Sequence, residues 1–518
     1  MKRPEIAPPR PWVFPIPRRT TLDNGLRVLA FQRPGQHLIS ASLVIDAPLS
    51  TEPEEIEGVS TIMLRCLDEG TTNHPGTSFS ADLESRGAVF GGGTSHSAAQ
   101  LSLEVPSTRF ADALPLFAEA IRAPTLDESD VQRHVDLRLA EIAQQQAHPT
   151  HRGAQAFRAA VVDPAFRASR PSAGTAATVA GVTAQDVRAQ HAGRYGPGHS
   201  TLVLAGDFGT DPLPLVADTF GDWTGQSAAG GHERPTGTAP RALLVHRPAA
   251  VQADVRIGTF GIDRTDPRWP ALRLGAFVLG GGFLSRLNRV LREERGYTYG
   301  VQLSNAPARS GGMLAMHASF RTEVTAAAVA EATELLRVDG DRSITASELT
   351  EAVNFLIGIT PLRCATASGI TDQVAALVEA GLGVEFMDAH AAALQAVTPD
   401  EASAAVAELL PLEELTVVIV GDADVLAQPL ADQHEEGDLD CRVQHKCQAH
   451  RNGQSHREDL SSRSCPTRYA IPHRVTCHRA SRTMAPLIFD APSVRSTKVM
   501  GTSANRRPER TARQARST

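Results

Sequence analysis

Residues 279–301, LGGGFLSRLNRVLREERGYTYGV, decide how this chain is read. Three consecutive glycines (Gly280, Gly281 and Gly282) precede a helix start at Ser285. Leu284, Leu287 and Leu291 recur at helical spacing as its apolar face, with Arg286, Arg289, Arg292, Glu293 and Glu294 elsewhere. Gly296 reads as the C-cap, and Tyr297 and Tyr299 follow in extended backbone. The pattern places a guanidinium, Arg292, near the end of a helix and a phenol, Tyr299, seven residues on. Two fixed donors of that kind can converge on a carbonyl oxygen that is acquiring negative charge. Read for structure alone, the same run is a surface helix of mixed charge.

An internal repeat extends the reading outward. Val182–Phe208 (VTAQDVRAQHAGRYGPGHSTLVLAGDF) and Val397–Ala423 (VTPDEASAAVAELLPLEELTVVIVGDA) share one plan. Each opens on Val-Thr, runs through a helix whose N-cap is Thr183 or Thr398, breaks, and closes on an apolar strand ending in Gly-Asp. The strands Thr201–Ala205 and Thr416–Val420 are continuously apolar, as buried strands are. Around them the spacing predicts a hairpin at Thr21–Arg33, a strand at Ile39–Asp46 and helices at Thr77–Arg86, Arg109–Arg122 and Asp127–Gln146, the last capped by Asp127. In the second half it predicts strands at Arg241–Val245, Val255–Phe260 and Met313–Phe320. Helices are expected at Pro270–Leu279, Glu323–Leu336 and Ala346–Ile359.

Composition sets the outer limits. A chain of 518 residues, 42% hydrophobic and 21% charged, is long enough for two to four domains with sizeable cores. Its net charge of −7 gives no push toward nucleic acid. The N-terminal segment is broken by prolines and carries no continuous apolar stretch, which argues against a signal peptide. No run is long and apolar enough for a transmembrane helix, so the cytoplasm is the expected location. Cys66 and Cys364 read as buried thiols in a reducing compartment. From Gln433 onward, Arg and His are scattered among Ser, Thr and Pro, together with Cys441, Cys447, Cys465 and Cys477. Those cysteines match no metal-knuckle spacing, and disorder is the expectation for this tail.

The run GGG-x-x-SRL-x-x-x-LRE-x-RG-x-x-Y within residues 280–299 resembles the C-terminal-domain signature of the pitrilysin/insulinase family of zinc peptidases. The resemblance covers roughly residues 20–428 and implies an α+β fold of two homologous domains. Each would be an antiparallel-rich mixed sheet flanked by helices, and together they would form a half-clamshell. The implied organisation is an N-terminal extension (1–19), a first domain (20–224), a Gly/Ser/Thr/Pro-rich linker (225–240), a second domain (241–428) and a disordered tail (429–518). In the family, Arg292 and Tyr299 would bind substrate and stabilise the tetrahedral intermediate.

The same resemblance locates where zinc would sit, and there the chain departs from its family. The inverted zincin motif, His-x-x-Glu-His, sets two imidazoles one helical turn apart beside a glutamate that activates water. The corresponding segment, Gly58–Thr71 (GVSTIMLRCLDEGT), carries Thr61, Leu64 and Arg65 at those positions. Leucine cannot act as a base, and arginine brings a permanent positive charge to where a dication would sit. The family's third ligand is matched by Glu141 in HVDLRLAEI, while the accompanying upstream glutamate is replaced by His134. The usual Asn-Ala-x-Thr edge strand appears as Gly91-Gly92-Gly93-Thr94, for which a flexible bulge or loop is expected.

The resemblance therefore implies the zinc-less, Arg/Tyr-bearing subunit of a two-chain peptidase, similar to the α subunit of mitochondrial processing peptidase. This chain would bind no cofactor of its own. A homologous subunit would hold the zinc in a heterodimer, and the substrate would be a short extended peptide. No membrane and no specific nucleic acid would be involved. A scaffold or peptide-binding protein that kept the fold and lost catalysis, as the core subunits of respiratory complex III do, is the alternative. A self-contained peptidase with unusual ligands is a third reading.

Overall fold

The computed structural model describes residues 12–225 and 230–432, and the backbone of 441–444. Cys447, Cys465, Cys477 and the arginine-rich end of the chain lie outside the described residues. Two six-stranded mixed sheets are built from β1 (Arg18–Thr21), β2 (Arg27–Gln32), β3 (Leu38–Ile45), β4 (Val89–Thr94), β5 (Ala99–Pro106) and β6 (Ser200–Gly206), then β7 (Ala242–His246), β8 (Gln252–Gly261), β9 (Val301–Pro307), β10 (Gly312–Arg321), β11 (Thr416–Gly421) and β12 (Cys441–Gln444). The first sheet is ordered β1-β2-β6-β3-β5-β4 and the second β12-β7-β11-β8-β10-β9. Five strands correspond one to one: β2 is parallel to β6 as β7 is to β11, and every remaining neighbour in each set of five is antiparallel. The sheets differ in their outermost strand, since β1 joins β2 antiparallel and β12 joins β7 parallel. The fold is α+β with a duplicated unit. The helix Ala423–Asp432 and strand β12 both extend beyond residue 428.

The repeat read from the sequence occupies equivalent places in the two sheets. Thr183 caps the helix Ala184–Arg194 in a capping box with Asp186, and Thr398 caps Pro399–Leu409 in one with Glu401. Each helix leads into the central parallel strand, β6 or β11. The Asp127 expectation is only half met. A helix does begin at Glu128, but the Asp127 side chain makes no capping hydrogen bond. Residues 230–240 are also less free than a tether. Thr238 N donates to Val161 O (3.0 Å), Asp163 N donates to Thr236 O (3.0 Å), and the Glu233 carboxylate accepts from Arg167 N (3.1 Å).

The two halves complete one another by exchanging a helix. One face of each sheet is covered by helices of its own half. The other face of the first sheet receives the helix Ala367–Glu379, whose Ala367, Ile370 and Val374 cluster with Phe31, Val203 and Ala205. There Ser40 Oγ and Thr371 Oγ1 meet at 2.8 Å in a buried hydrogen bond. Conversely, the helix Pro149–Val161 places Phe157, Ala160 and Val161 against Val418 of β11, with Leu243 and Phe260 packed around them. Gly153 allows this helix to lie close to β8, because a Cβ there would sit 2.2 Å from the buried Asp254 Oδ1. Among the described residues, no single helix is long and apolar enough to cross a membrane.

Gly153→Ala should therefore push the exchanged helix away from β8. Overpacking of this kind costs roughly 1–3 kcal/mol. A lowered urea midpoint with an unchanged slope is the expected result, and an unchanged midpoint would mean the helix can shift at no cost.

Candidate functional site

The helix Val59–Arg65 is fixed at its N-terminus by a buried carboxylate. Glu52 accepts from Gly58 N (3.2 Å) and Ser60 N (3.0 Å), and its charge partner is Arg167 Nη2 (3.0 Å). A carboxylate suits this position because the first-turn amides lack intrahelical acceptors. The helix then presents Thr61, Leu64 and Arg65 toward its neighbours. Thr61 Oγ1 lies 2.9 Å from Thr94 Oγ1 on β4. Leu64 is buried against the same strand, its Cδ2 3.3 Å from where a Gly92 Cβ would stand.

The glycine run is therefore not a loop. Gly91, Gly92 and Gly93 form regular β4 backbone opposite Ser102, Leu101 and Gln100. Glycine is needed because a Gly92 side chain would also lie 2.6 Å from Gln100 O. This strand is an edge of its sheet, and Val89 on it is exposed.

Arg65 and Glu141 form a two-pronged ion pair, Nη1 to Oε1 at 2.9 Å and Nη2 to Oε2 at 3.0 Å. Arg138, buried and also bonded to Ala173 O, adds a third donor to Glu141 at 3.1 Å. The Arg65 hydrogen bonds hold the Glu141 carboxyl below the usual carboxylate range, outweighing partial burial. Two turns earlier than Glu141, His134 Nε2 meets Glu69 Oε1 at 2.7 Å, and Arg133 meets Glu69 Oε2 at the same distance. Burial pushes the neighbouring Cys66 thiol up to about 12, so it stays protonated. These residues do not fit zinc. Both Glu141 oxygens are engaged by guanidinium, no imidazole stands at 61 or 65, and an aliphatic side chain occupies the base position.

The second set of residues lies at the opening of β9. After the glycines, backbone bonds run from i to i−5 (Gly282 N to Phe277 O, 3.0 Å; Arg295 N to Val290 O, 2.9 Å), so the helix Asn288–Glu294 is wound wide. Leu287 and Leu291 are fully buried, as the spacing predicts, and Gly296 ends the turn at φ +61°. Leu284 is exposed instead, as is Phe283, because both lie in the turn between the glycines and the helix, outside its apolar stripe. The Arg292 guanidinium covers the Phe283 ring, 3.8 Å from its centroid. It also donates to Phe283 O (3.0 Å) and Glu293 Oε1 (2.8 Å). Tyr299 is 95% exposed. The two side chains share this opening but no hydrogen bond links them.

Asn288 organises the segment, a role that sequence spacing does not reveal. It is buried, and its amide donates to Gly282 O (3.1 Å), Ser285 Oγ (3.0 Å) and Val301 O (2.9 Å) while its Oδ1 accepts from Val301 N (2.9 Å). One side chain thus ties the glycine turn, the helix and β9 together. Arg286 adds a brace, bonding both Glu348 oxygens at 2.7 Å.

Two family models match this chain. Residues 27–174 match the insulinase family (peptidase family M16), and residues 181–356 match the peptidase M16 inactive domain. An uncharacterized zinc protease of Mycobacterium tuberculosis is 27% identical over 358 residues, 67% of this chain and 79% of that relative. The non-peptidase homolog YmxG of Helicobacter pylori is 21% identical over 373 residues, 70% of this chain and 84% of its own length. The crystal structure of a peptidase M16 inactive domain from Pseudomonas fluorescens superposes with a TM-score of 0.71 at 25% identity, covering 78% of this chain and 98% of that one. A protease from H. pylori shares the fold with the same TM-score at 16% identity, covering 79% of this chain and 100% of that one. The chain belongs to the insulinase family of peptidases, as a homologue of its non-catalytic type.

Two tests follow. Asn288→Ala leaves a buried carbonyl and amide unsatisfied, at roughly 1–3 kcal/mol for each lost group; thermal unfolding should fall by several degrees and the Val301 amide should exchange faster. An unmoved melting temperature would show that water replaces the side chain. The lowered carboxyl of Glu141 contributes stability above its ordinary pKa and loses that contribution as pH falls through the lowered value. Arg65→Met should cost about 1 kcal/mol at pH 7, because both partners are about a third exposed. The difference from wild type should shrink on acidification below about pH 4; a gap that is constant with pH would exclude the pair as its source.

Proposed function

We propose that this chain is the zinc-less subunit of a two-chain peptidase, paired with a homologous subunit that carries an intact His-x-x-Glu-His helix. Arg292 and Tyr299 act in trans on an extended peptide held at the partner's site. The chain itself holds no zinc, since Thr61, Leu64 and Arg65 stand where ligands and base would be, and it works in the cytoplasm. The metal and its water belong to the partner. Here the two side chains orient the scissile carbonyl and donate hydrogen bonds to its oxygen as charge develops.

The observation that supports this reading is Tyr299, an almost wholly exposed phenol at the mouth of a rigidly tied turn. A buried-core role is excluded by that exposure. A second chain could reach it without disturbing the fold. Arg292 stands on the same turn, with its guanidinium positioned by the Phe283 ring and carbonyl. β9, which follows directly, is the last strand of its sheet, and an extended peptide could add to such an edge.

The test uses the full chain mixed with a zinc-motif homologue from the same organism. Arg292→Ala and Tyr299→Phe should each lower peptide turnover by about 100–1,000-fold, the scale of lost oxyanion donors. Complex formation, measured by analytical ultracentrifugation, and zinc content of the complex should stay unchanged. Turnover equal to wild type would remove the pair from the chemistry and leave a scaffold or peptide-binding role.

A further inference from the structure

A cavity of about 400 Å³ opens behind β9, walled by that strand and by the helices Trp269–Ala276, Ala346–Gly358, Ala367–Glu379 and Phe386–Ala396. It lies within the size range of small-molecule sites, about 300–1,000 Å³. Its lining carries three guanidiniums, Arg264, Arg273 and Arg363, and no carboxylate. In the first half the buried Arg167 pairs with Glu52 and Glu57, and Arg138 with Glu141, while Arg158 meets only the carbonyl of Ala168. Here Arg273 donates only to a neutral imidazole, His390 Nε2, at 2.8 Å. Burial depresses the Arg273 guanidinium to about 10, and the adjacent Arg363 and Arg264 add to the effect. Burial, with Arg273 and Arg264 nearby, holds His390 at about 3, so it stays neutral and accepts. Removing a cation from water without a counter-charge is costly, and that cost favours an anion arriving from outside.

The rest of the lining is apolar and aromatic. Phe386 stacks on His390 with ring centroids 5.2 Å apart, Trp269 flanks the same imidazole, and Phe277, Leu303 and Leu394 close the walls. The indole N–H of Trp269 and Oδ1 of Asn305 have no hydrogen-bond partner among the described residues. We infer that this cavity binds a carboxylate carried on an apolar or aromatic body, the chemistry of a peptide's C-terminal residue, with the guanidiniums of Arg264, Arg273 and Arg363 around the charge. The site is independent of the zinc-bearing partner and of Arg292 and Tyr299.

Calorimetric titration of the full chain alone with N-acetylphenylalanine and with N-acetylphenylalaninamide tests this, since the two differ only in the charged group. The acid should bind at least tenfold more tightly than the amide. Arg273→Met should abolish that preference. Arg363→Ala, at an exposed position that cannot unfold the core, should weaken acid binding severalfold and leave the amide unchanged. Arg292→Ala should bind the acid as wild type does, which separates this site from the peptidase role. Equal binding of acid and amide, or no binding of either, would overturn the inference. So would displacement of the acid by an equal concentration of inorganic phosphate, which would mark an unspecific cluster of cations.

Discussion

The exchange of one helix between halves is the constraint on which the rest of this structure depends. Strands β3, β6 and β11 are apolar along nearly their whole length, so both faces of each sheet must be covered. Each half supplies helices for one face only. The second face of the first sheet is closed by Ala367–Glu379, and that of the second by Pro149–Val161. The described residues of both halves consequently form one compact unit, although the chain contains a duplication. Interfaces between domains of one chain are usually more polar and free to move; this one is made of core side chains.

Within that frame the helix Val59–Arg65 keeps its support while its chemistry is replaced. Glu52, Arg167 and Glu57 form a buried charge network at its N-terminus. Such a network is strongly destabilised by loss of one member, because the other charges stay buried. The replacement at the surface of the helix is consistent in charge. With a guanidinium at position 65, the carboxylate of Glu141 gains two parallel hydrogen bonds and remains ionised. Leu64 then uses the space over β4 that Gly92 leaves open. A glycine strand and a leucine at the base position are thus two sides of one packing solution.

Much of this was legible in the chain, and the failures have physical causes. The repeated Val-Thr to Gly-Asp units were readable because capping boxes and continuously apolar strands are local signals, and both occupy equivalent positions in the sheets. Thr61, Leu64, Arg65 and Glu141 could be placed by spacing, and the structure brings Arg65 and Glu141 into contact. The glycine run reads as a bulge or loop in sequence, because what fixes it as a strand is its packing against Gln100 and Leu64, which spacing does not show. Regular helical spacing would put Leu284 on the buried face, but it lies in the turn ahead of the helix and is exposed. The role of Asn288 is not legible because nothing in its spacing announces a side chain bonded to the backbone of both Gly282 and Val301. The helix exchange was invisible for the same reason: it is a choice of partner across more than two hundred residues.

The treatment of positive charge separates the two halves. In the first half, several guanidiniums that approach the core are neutralised by this chain's own acids, as at Arg65, Arg138, Arg167 and Arg170, while Arg158 donates to Ala168 O. At Glu141 both carboxylate oxygens are engaged by guanidinium. In the second half, Arg286 follows the same rule with Glu348, yet Arg264, Arg273 and Arg363 face a cavity with no acid in its wall. Arg264 has the carboxylate of Glu379 nearby, whereas Arg273 meets only His390; a guanidinium left without an acid beside a cavity marks where an anion would complete the electrostatics. The cavity behind β9 is thus where this fold leaves positive charge to be met from outside, whereas the Arg65–Glu141 pair is complete within the chain.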